Sequence, residues 1–97
     1  MSDADTDQAG ARRVVTVCNQ RGLHARAAAR FVKLAETFDA RVSVICRGQS
    51  VSALSIMGLM MLAAGPGSTV TIHADGPDAS KALSEIESLM KRKFDED

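Results

Sequence analysis

The sequence is poor in aromatic side chains and has no excess of either charge. Its 97 residues include no Trp, no Tyr and three Phe, and twelve basic side chains balance twelve acidic ones. Proteins bind nucleic acid and anionic membranes through an excess of positive charge, and they bind single strands by stacking bases on aromatic rings. The composition therefore argues against nucleic acid or a membrane surface as a partner.

Cysteine and long apolar runs are also scarce. Cys18 and Cys46 lack a paired spacing such as C-x-x-C, so the sequence predicts no metal site. Reduced thiols packed as small apolar residues are favoured over a disulfide or redox pair. No apolar run reaches the roughly 20 residues that span a bilayer, and residues 1–11 are too polar for a secretory signal. These absences predict a cytoplasmic protein.

The chain length predicts one domain with its function on the surface. Ninety-seven residues bury a single core but do not enclose a deep pocket. Residues 1–11 carry three Asp and, beyond Met1, no large apolar side chain, so they are predicted to be a disordered acidic tail. Residues 12–97 form the predicted domain.

Hydrophobic periodicity predicts four strands and three helices. β-branched or alternating segments predict strands at 13–19, 41–46, 49–53 and 68–74. Apolar residues at three- and four-residue spacing predict helices at 25–38, at 56–64 before Gly65-Pro66-Gly67, and from about 79 to 90. The order β-α-β-β-α-β-α favours an α+β fold, an open-faced two-layer sandwich whose three helices cover one face of a mainly antiparallel sheet.

His24 lies where a loop meets the first helix. It follows Gly22-Leu23 and precedes the helical pattern directly. Amide groups in the first turn of a helix have no intrahelical partners, so they bind anions such as a phosphoryl group on the imidazole. Arg26, two residues later, has a planar guanidinium of the kind that binds phosphate oxygens, and it is expected to reach a phosphoryl group on His24. Taken alone, a histidine at such a position is more often a helix cap or a surface residue than a catalytic group.

The second predicted helix has more apolar residues than one buried face needs. Ile56, Leu59 and Leu62 form a stripe that is predicted to contact the sheet. The three Met residues at 57, 60 and 61 form a second stripe, for which partial exposure and partner binding are expected. Ser55, just before the helix, is predicted to be its N-cap.

Two motifs in register resemble those of a known family. The segment Gly22-Leu23-His24-Ala25-Arg26-Ala27-Ala28 resembles the active-site signature of HPr, the histidine-containing phosphocarrier protein of the bacterial phosphotransferase system. About thirty residues later, Ser55-Ile56-Met57-Gly58-Leu59-Met60 resembles the regulatory-serine region of the same family. The resemblance covers residues 13–92, and the order of elements agrees with it. Ala27 stands where many members have Pro, and Leu54 stands where a basic residue often precedes the serine.

The resemblance implies a phosphoryl carrier rather than an enzyme with a free small-molecule substrate. His24 would accept a phosphoryl group that enzyme I draws from phosphoenolpyruvate and would pass it to an enzyme IIA-type protein, with Arg26 stabilising the phosphate. Ser55 would be the regulatory site for HPr kinase/phosphorylase. No cofactor and no metal are implied. The Ala-rich first helix and the Met-rich second helix look more like the nitrogen-related branch, and a monomer is expected.

The expected partner surface lies on both sides of His24. Its predicted residues are Arg26, Ala29, Arg30, Lys33, Ile56, Met57, Met60 and Met61. The alternative for the basic residues of the first helix is an ordinary solvated face. A purely regulatory binding module of the same fold is the alternative function, which the His24–Arg26 pair disfavours. The third possible function is that of a nucleic-acid-binding α+β domain, which the balanced charge and the few aromatic residues disfavour.

Overall fold

One antiparallel sheet and three helices make up the fold. The computed structural model describes residues 10–96 and has the element order β-α-β-β-α-β-α. The strands are β1 (Ala11–Thr16), β2 (Arg41–Cys46), β3 (Gln49–Ser52) and β4 (Thr69–Asp75). They lie in the order β1-β4-β2-β3, and every neighbouring pair is antiparallel. The helices are α1 (Ala25–Ala35), α2 (Ile56–Met61) and α3 (Ala79–Lys91). The predicted α+β sandwich is confirmed.

The core lies between the sheet and the helices. Successive strand residues point to opposite faces, and the buried residues of β4 are Val70, Ile72 and Ala74. The register places Ile72 beside Val44 and Val70 beside Val15, which gives continuous apolar rows under the helices. The opposite face of the sheet is open to solvent. This two-layer arrangement leaves the loops at the helix ends accessible.

Several element boundaries differ from the sequence prediction. The predicted tail ends at residue 11, whereas Ala11 already pairs with Ala74 as the first residue of β1. Residues 1–9 of that tail lie outside the described range. The first helix ends at Ala35 instead of residue 38, because Thr37 and Phe38 bond to the carbonyls of Leu34 and Ala35 in a tighter turn.

The second helix is shorter than predicted and buries fewer residues. It ends at Met61, because Ala63 adopts a left-handed conformation with φ of 52° before the glycines are reached. Leu59 and Leu62 are buried, whereas Ile56 is 40% exposed, so only two residues of the predicted stripe belong to the core. With only six residues, the helix reaches the core through Leu59, and Ile56 at its start stays at the surface.

The two cysteines differ in environment. Cys46 is buried in β2 as predicted, whereas Cys18 is exposed beyond the end of β1, which corrects its predicted apolar packing. The thiol of Cys18 donates to the carbonyl of Met90 at 3.4 Å, since the chain there has left the sheet and passes the end of α3. Both thiols are free.

Helix α3 carries the end of the chain toward α1. An ion pair of 2.9 Å between Arg13 and Glu87 joins α3 to β1. The chain then makes a left-handed turn, Lys93–Asp95, in which all three residues have φ near +58°. Phe94 in this turn is fully buried. Because the Phe94 ring is buried, Glu96, two residues later, lies at the start of α1.

Candidate functional site

The loop before α1 requires glycine. Gly22 has φ of +63°, a conformation that L side chains rarely adopt. A Cβ atom there would lie 2.3 Å from the carbonyl oxygen of Ala64. Leu23, buried in the core, donates its backbone N–H to the same oxygen at 3.0 Å. This contact between the two loops fixes the direction in which the chain enters α1.

His24 is the N-cap residue of α1, as its position in the sequence predicts. Its backbone is extended, with φ of −73° and ψ of 177°, and its carbonyl accepts the N–H of Ala28 at 2.8 Å. The imidazole makes no capping hydrogen bond and is therefore available for other chemistry. Its Nε2 contacts Oε2 of Glu96, and the side chain is 16% exposed. Nδ1 is thus the ring nitrogen that Glu96 leaves free.

Basic side chains surround the imidazole. A cavity of about 360 Å³ opens beside it, and its lining includes Arg21, Arg26, Arg30 and Lys93. Arg21 and Arg26 are exposed, whereas Arg30 is half-buried and donates to the carbonyl of Phe94. The predicted basic stripe on α1 is therefore only partly a solvated face, because Arg30 holds the C-terminal turn. The cavity offers several cationic groups to a phosphate beside the ring.

Glu96 and Asn19 complete the surroundings of His24. The hydrogen bond with His24 lowers the pKa of Glu96 below its ordinary value, although partial burial opposes this effect and the Asn19 amide adds to it. Asn19 is fully buried and donates from Nδ2 to Oε1 of Glu96 at 3.3 Å and to the Gly22 carbonyl at 2.8 Å. The site thus contains a hydrogen-bonded carboxylate as well as cations.

Ser55 caps α2, as predicted. Its Oγ accepts the backbone N–H of Gly58 at 2.9 Å, and its backbone is extended. The side chain is half-buried, while the preceding Leu54 is 59% exposed. The serine thus has a structural role, and its hydroxyl lies at the start of a helix where an added anion is electrostatically favoured.

An exposed apolar surface adjoins the imidazole. We call the residues Leu54, Ile56, Met57, Met60 and Met61 the α2 patch. Met57 and Met61 are 71% and 70% exposed. A second cavity, of about 240 Å³, is lined by both His24 and Met60, so the patch reaches the edge of the candidate site. Ala29 and Lys33, also predicted at the partner surface, are exposed on α1.

Comparison with known proteins identifies the family. The family model described as the PTS HPr component phosphorylation site matches residues 11–92. The chain is 47% identical to phosphocarrier protein HPr of Cupriavidus necator over 85 residues, which cover 88% of this chain and 96% of that protein. It is 46% identical to phosphocarrier protein NPr of Shewanella violacea over 84 residues, covering 87% and 92%. The chain belongs to the HPr family. It is a phosphocarrier of the phosphotransferase system, and membership implies interaction with enzyme I and with IIA-type proteins.

A solved HPr structure shares the fold. The crystal structure of HPr-C-His from Thermoanaerobacter tengcongensis aligns with a TM-score of 0.85 at 36% identity, covering 90% of this chain and 98% of that one. The element order deduced from periodicity is therefore that of an HPr protein. Identity is nearly equal toward the HPr and NPr relatives, so overall similarity favours neither the sugar-transport nor the nitrogen-related branch.

Several residues near His24 were missed by sequence reasoning, among them Asn19, Arg21 and Glu96. Asn19 and Arg21 lie in the loop before the HPr motif, and Glu96 lies 72 residues after His24. The sequence offered one signal for these residues: Asn19 is a polar residue at the end of an apolar strand. It offered no signal for Arg21 or Glu96. Within residues 10–96 no group of His, Cys, Asp or Glu is arranged to hold a metal ion, and no helix is both long and apolar enough to cross a membrane.

Proposed function

We propose that His24 is the residue that carries the phosphoryl group. The observation that carries this proposal is a largely buried imidazole at the start of α1, with Nδ1 free and Arg21, Arg26 and Arg30 lining the adjoining cavity. Phosphoryl transfer requires positioning and charge stabilisation more than covalent chemistry from the protein. A small surface site of this kind is sufficient for a carrier that receives its substrate from another protein.

Arg26 is the proposed stabiliser of the phosphate. It follows His24 by two residues in the first turn of α1, and its side chain is exposed at the rim of the cavity. The free amides of that turn and the positive end of the helix supply further attraction for the phosphate oxygens. Arg30, by contrast, already donates to the carbonyl of Phe94, so Arg26 has the greater freedom to follow the phosphate.

The direct test is labelling with phosphoenolpyruvate. The protein is incubated with enzyme I and labelled phosphoenolpyruvate, and the acid stability of the protein-bound phosphate is measured. We expect acid-labile phosphate, because a phosphorus–nitrogen bond to imidazole hydrolyses in acid while a serine ester does not. The label should then pass to an added IIA-type protein.

The α2 patch is the proposed docking surface for enzyme I and for the acceptor. It adjoins His24, and its three Met side chains can repack against more than one partner. Arg26, Ala29, Arg30 and Lys33 on α1 supply the basic side of the same surface. A partner with an apolar centre and acidic rim would match it.

Replacing Met57 with Glu is expected to weaken binding of enzyme I by about tenfold, the effect of a moderate interface residue. Met57 is 71% exposed, so the change does not disturb the core. Val14→Glu is the matched control, because Val14 is 66% exposed but lies on β1, away from the patch. Titration calorimetry gives the affinities, and thermal unfolding checks the fold. Equal affinity for Met57→Glu and the parent would remove Met57 from the interface.

Ser55 is proposed as a regulatory phosphorylation site for an HPr kinase/phosphorylase. Its hydroxyl caps a helix start next to the α2 patch, so a phosphate there would place negative charge in the proposed docking surface. We expect ATP and the kinase to label the protein with acid-stable phosphate, and Ser55→Ala to remove the label. Ser52, on the neighbouring strand, provides the control variant Ser52→Ala, which should still be labelled. Labelling of Ser55→Ala at the parent level would contradict the assignment.

The location, the oligomeric state and the branch of the phosphotransferase system are the last features of the proposed function. We place the protein in the cytoplasm, where its free thiols Cys18 and Cys46 remain reduced. A monomer is proposed, because successive partners require the same face of α1 and α2. The Met-rich α2 and Ala-rich α1 support service in the nitrogen-related branch.

A further inference from the structure

The carboxylate of Glu96 is held from two sides. Oε2 contacts Nε2 of His24, while Oε1 accepts from Nδ2 of Asn19 at 3.3 Å. The Glu96 side chain is only 15% exposed, so these contacts form largely out of solvent. Each oxygen of the carboxylate therefore has its own partner, and one of the two partners is the imidazole proposed to carry phosphate.

Asn19 joins that carboxylate to the loop before His24. Its amide nitrogen also donates to the carbonyl of Gly22 at 2.8 Å, two residues before His24. The side chain is fully buried, and its Oδ1 has no hydrogen-bond partner. An unsatisfied buried acceptor destabilises the folded state. The amide of Asn19 instead contributes through its two N–H groups, both of which donate at the site.

We propose that Glu96 and Asn19 are positioning residues for His24: Glu96 accepts the Nε2 proton and leaves Nδ1 as the nucleophile, while Asn19 holds Glu96 in place. This inference rests on the proposed function of His24. A carboxylate that accepts one ring proton fixes both the tautomer and the orientation of an imidazole. The two residues act through His24 and do not contact the phosphoryl group.

The same contact stabilises the product of transfer. The lone pair of Nδ1 forms a bond to phosphorus, and the bond between phosphorus and the donor breaks with its electron pair leaving on the donor. The ring then bears a positive charge, since Nε2 still carries its proton. The carboxylate of Glu96 lies against that proton and offsets the charge, as carboxylates do for imidazolium in hydrolase triads.

Other charged groups near the ring do not replace Glu96. Arg21, Arg26 and Lys93 line the cavity but carry positive charge, so they cannot accept the Nε2 proton. Asp95 also lines it, but its carboxylate is paired with Arg92 at 3.0 Å. Glu96 is therefore the one carboxylate among residues 10–96 that contacts the His24 ring.

The Nε2 proton provides a direct test on the unphosphorylated protein. In the parent we expect a slowly exchanging Nε2–H signal by NMR at pH 8, because Glu96 protects that proton. Glu96→Ala should lose the signal, and transfer from enzyme I should slow by about tenfold, the lower end of the effect of partners that orient a histidine. The loss should appear in kcat, with KM for enzyme I unchanged. Glu85→Ala, on the exposed side of α3, is the matched control and should keep both properties.

The proposed role of Asn19 is tested by exchanging the hydrogen-bond donor at position 19 with the acceptor at position 96. Asn19→Asp keeps the shape but replaces the N–H donors with a second carboxylate, so the Nε2–H signal should disappear as in Glu96→Ala. In the double variant Asn19→Asp with Glu96→Gln, the amide introduced at position 96 donates to the carboxylate introduced at position 19. Its oxygen then accepts from His24, and the signal should return in part. Failure of the double variant to recover any signal would overturn the role of Asn19.

The outcomes separate this inference from the proposed function. If Glu96→Ala keeps the Nε2–H signal and the parental kcat, the positioning role is wrong even though His24 carries phosphate. If His24→Ala is still labelled, the proposed function is wrong, and the NMR result on Glu96 then describes only a structural hydrogen bond.

Discussion

His24→Ala is expected to abolish acid-labile labelling by phosphoenolpyruvate and enzyme I. The variant lacks the proposed nucleophile, and loss of a catalytic nucleophile costs more than about a thousandfold in rate. The fold should be retained, because the imidazole makes no capping bond and its backbone can remain extended with Ala. The measurement is incorporated phosphate over time, with circular dichroism as the check on folding.

The second histidine provides the control for this experiment. His73 lies in β4 and is half-buried, away from the cavity beside His24. His73→Ala should be labelled at the parental rate. Labelling of His24→Ala, or loss of labelling in a folded His73→Ala, would move the phosphoryl site away from α1.

Phe31→Ala is expected to produce the largest loss of stability, about 3–5 kcal/mol, as for other buried Phe truncations. Phe31 is fully buried in the middle of α1, where it packs in the core between the helices and the sheet. Removing the ring leaves a cavity that close-packed neighbours fill only in part. The free energy of unfolding in urea measures the loss, which is a large fraction of the stability of a domain this size.

Phe38→Ala is the matched control, since it removes the same ring after the end of α1. Phe38 is only half-buried, so we expect a loss well below that of Phe31→Ala. Similar losses for the two variants would mean that the core is not centred on α1. Both variants should still accept phosphate under conditions where they are folded, because neither Phe lines the cavity beside His24.

The fold, and the position of His24 at the start of a helix, were predictable because the sequence signals for them act over a few residues. Alternation in β4 and the apolar spacing in α1 determine which faces are buried. A histidine before a helical pattern, and a serine before the next, are both where the structure has helix caps. The HPr motifs added the chemistry that neither position specifies by itself.

Contacts between segments that are distant in the sequence were not predictable from such local patterns. Glu96 reaches His24 only because the chain makes a left-handed turn after α3 through Lys93, Phe94 and Asp95, none of which is a glycine. Of these three residue types only Asp tolerates the left-handed conformation well, and a single Asp does not signal such a turn. The early end of α2 at Ala63 has the same origin, since a left-handed Ala gives no local warning.

The left-handed turn at the end of the chain also has a thermodynamic consequence. Each of its three non-glycine residues carries a conformational penalty of about 1–2 kcal/mol. Burial of the Phe94 side chain contributes about 1.5–3 kcal/mol in the opposite direction, which offsets only part of the penalty of the three residues together. Such a segment opens by local fluctuation at a lower free energy than the sheet requires for unfolding. The carboxylate at its end can therefore separate from the histidine and return while the remaining fold stays intact.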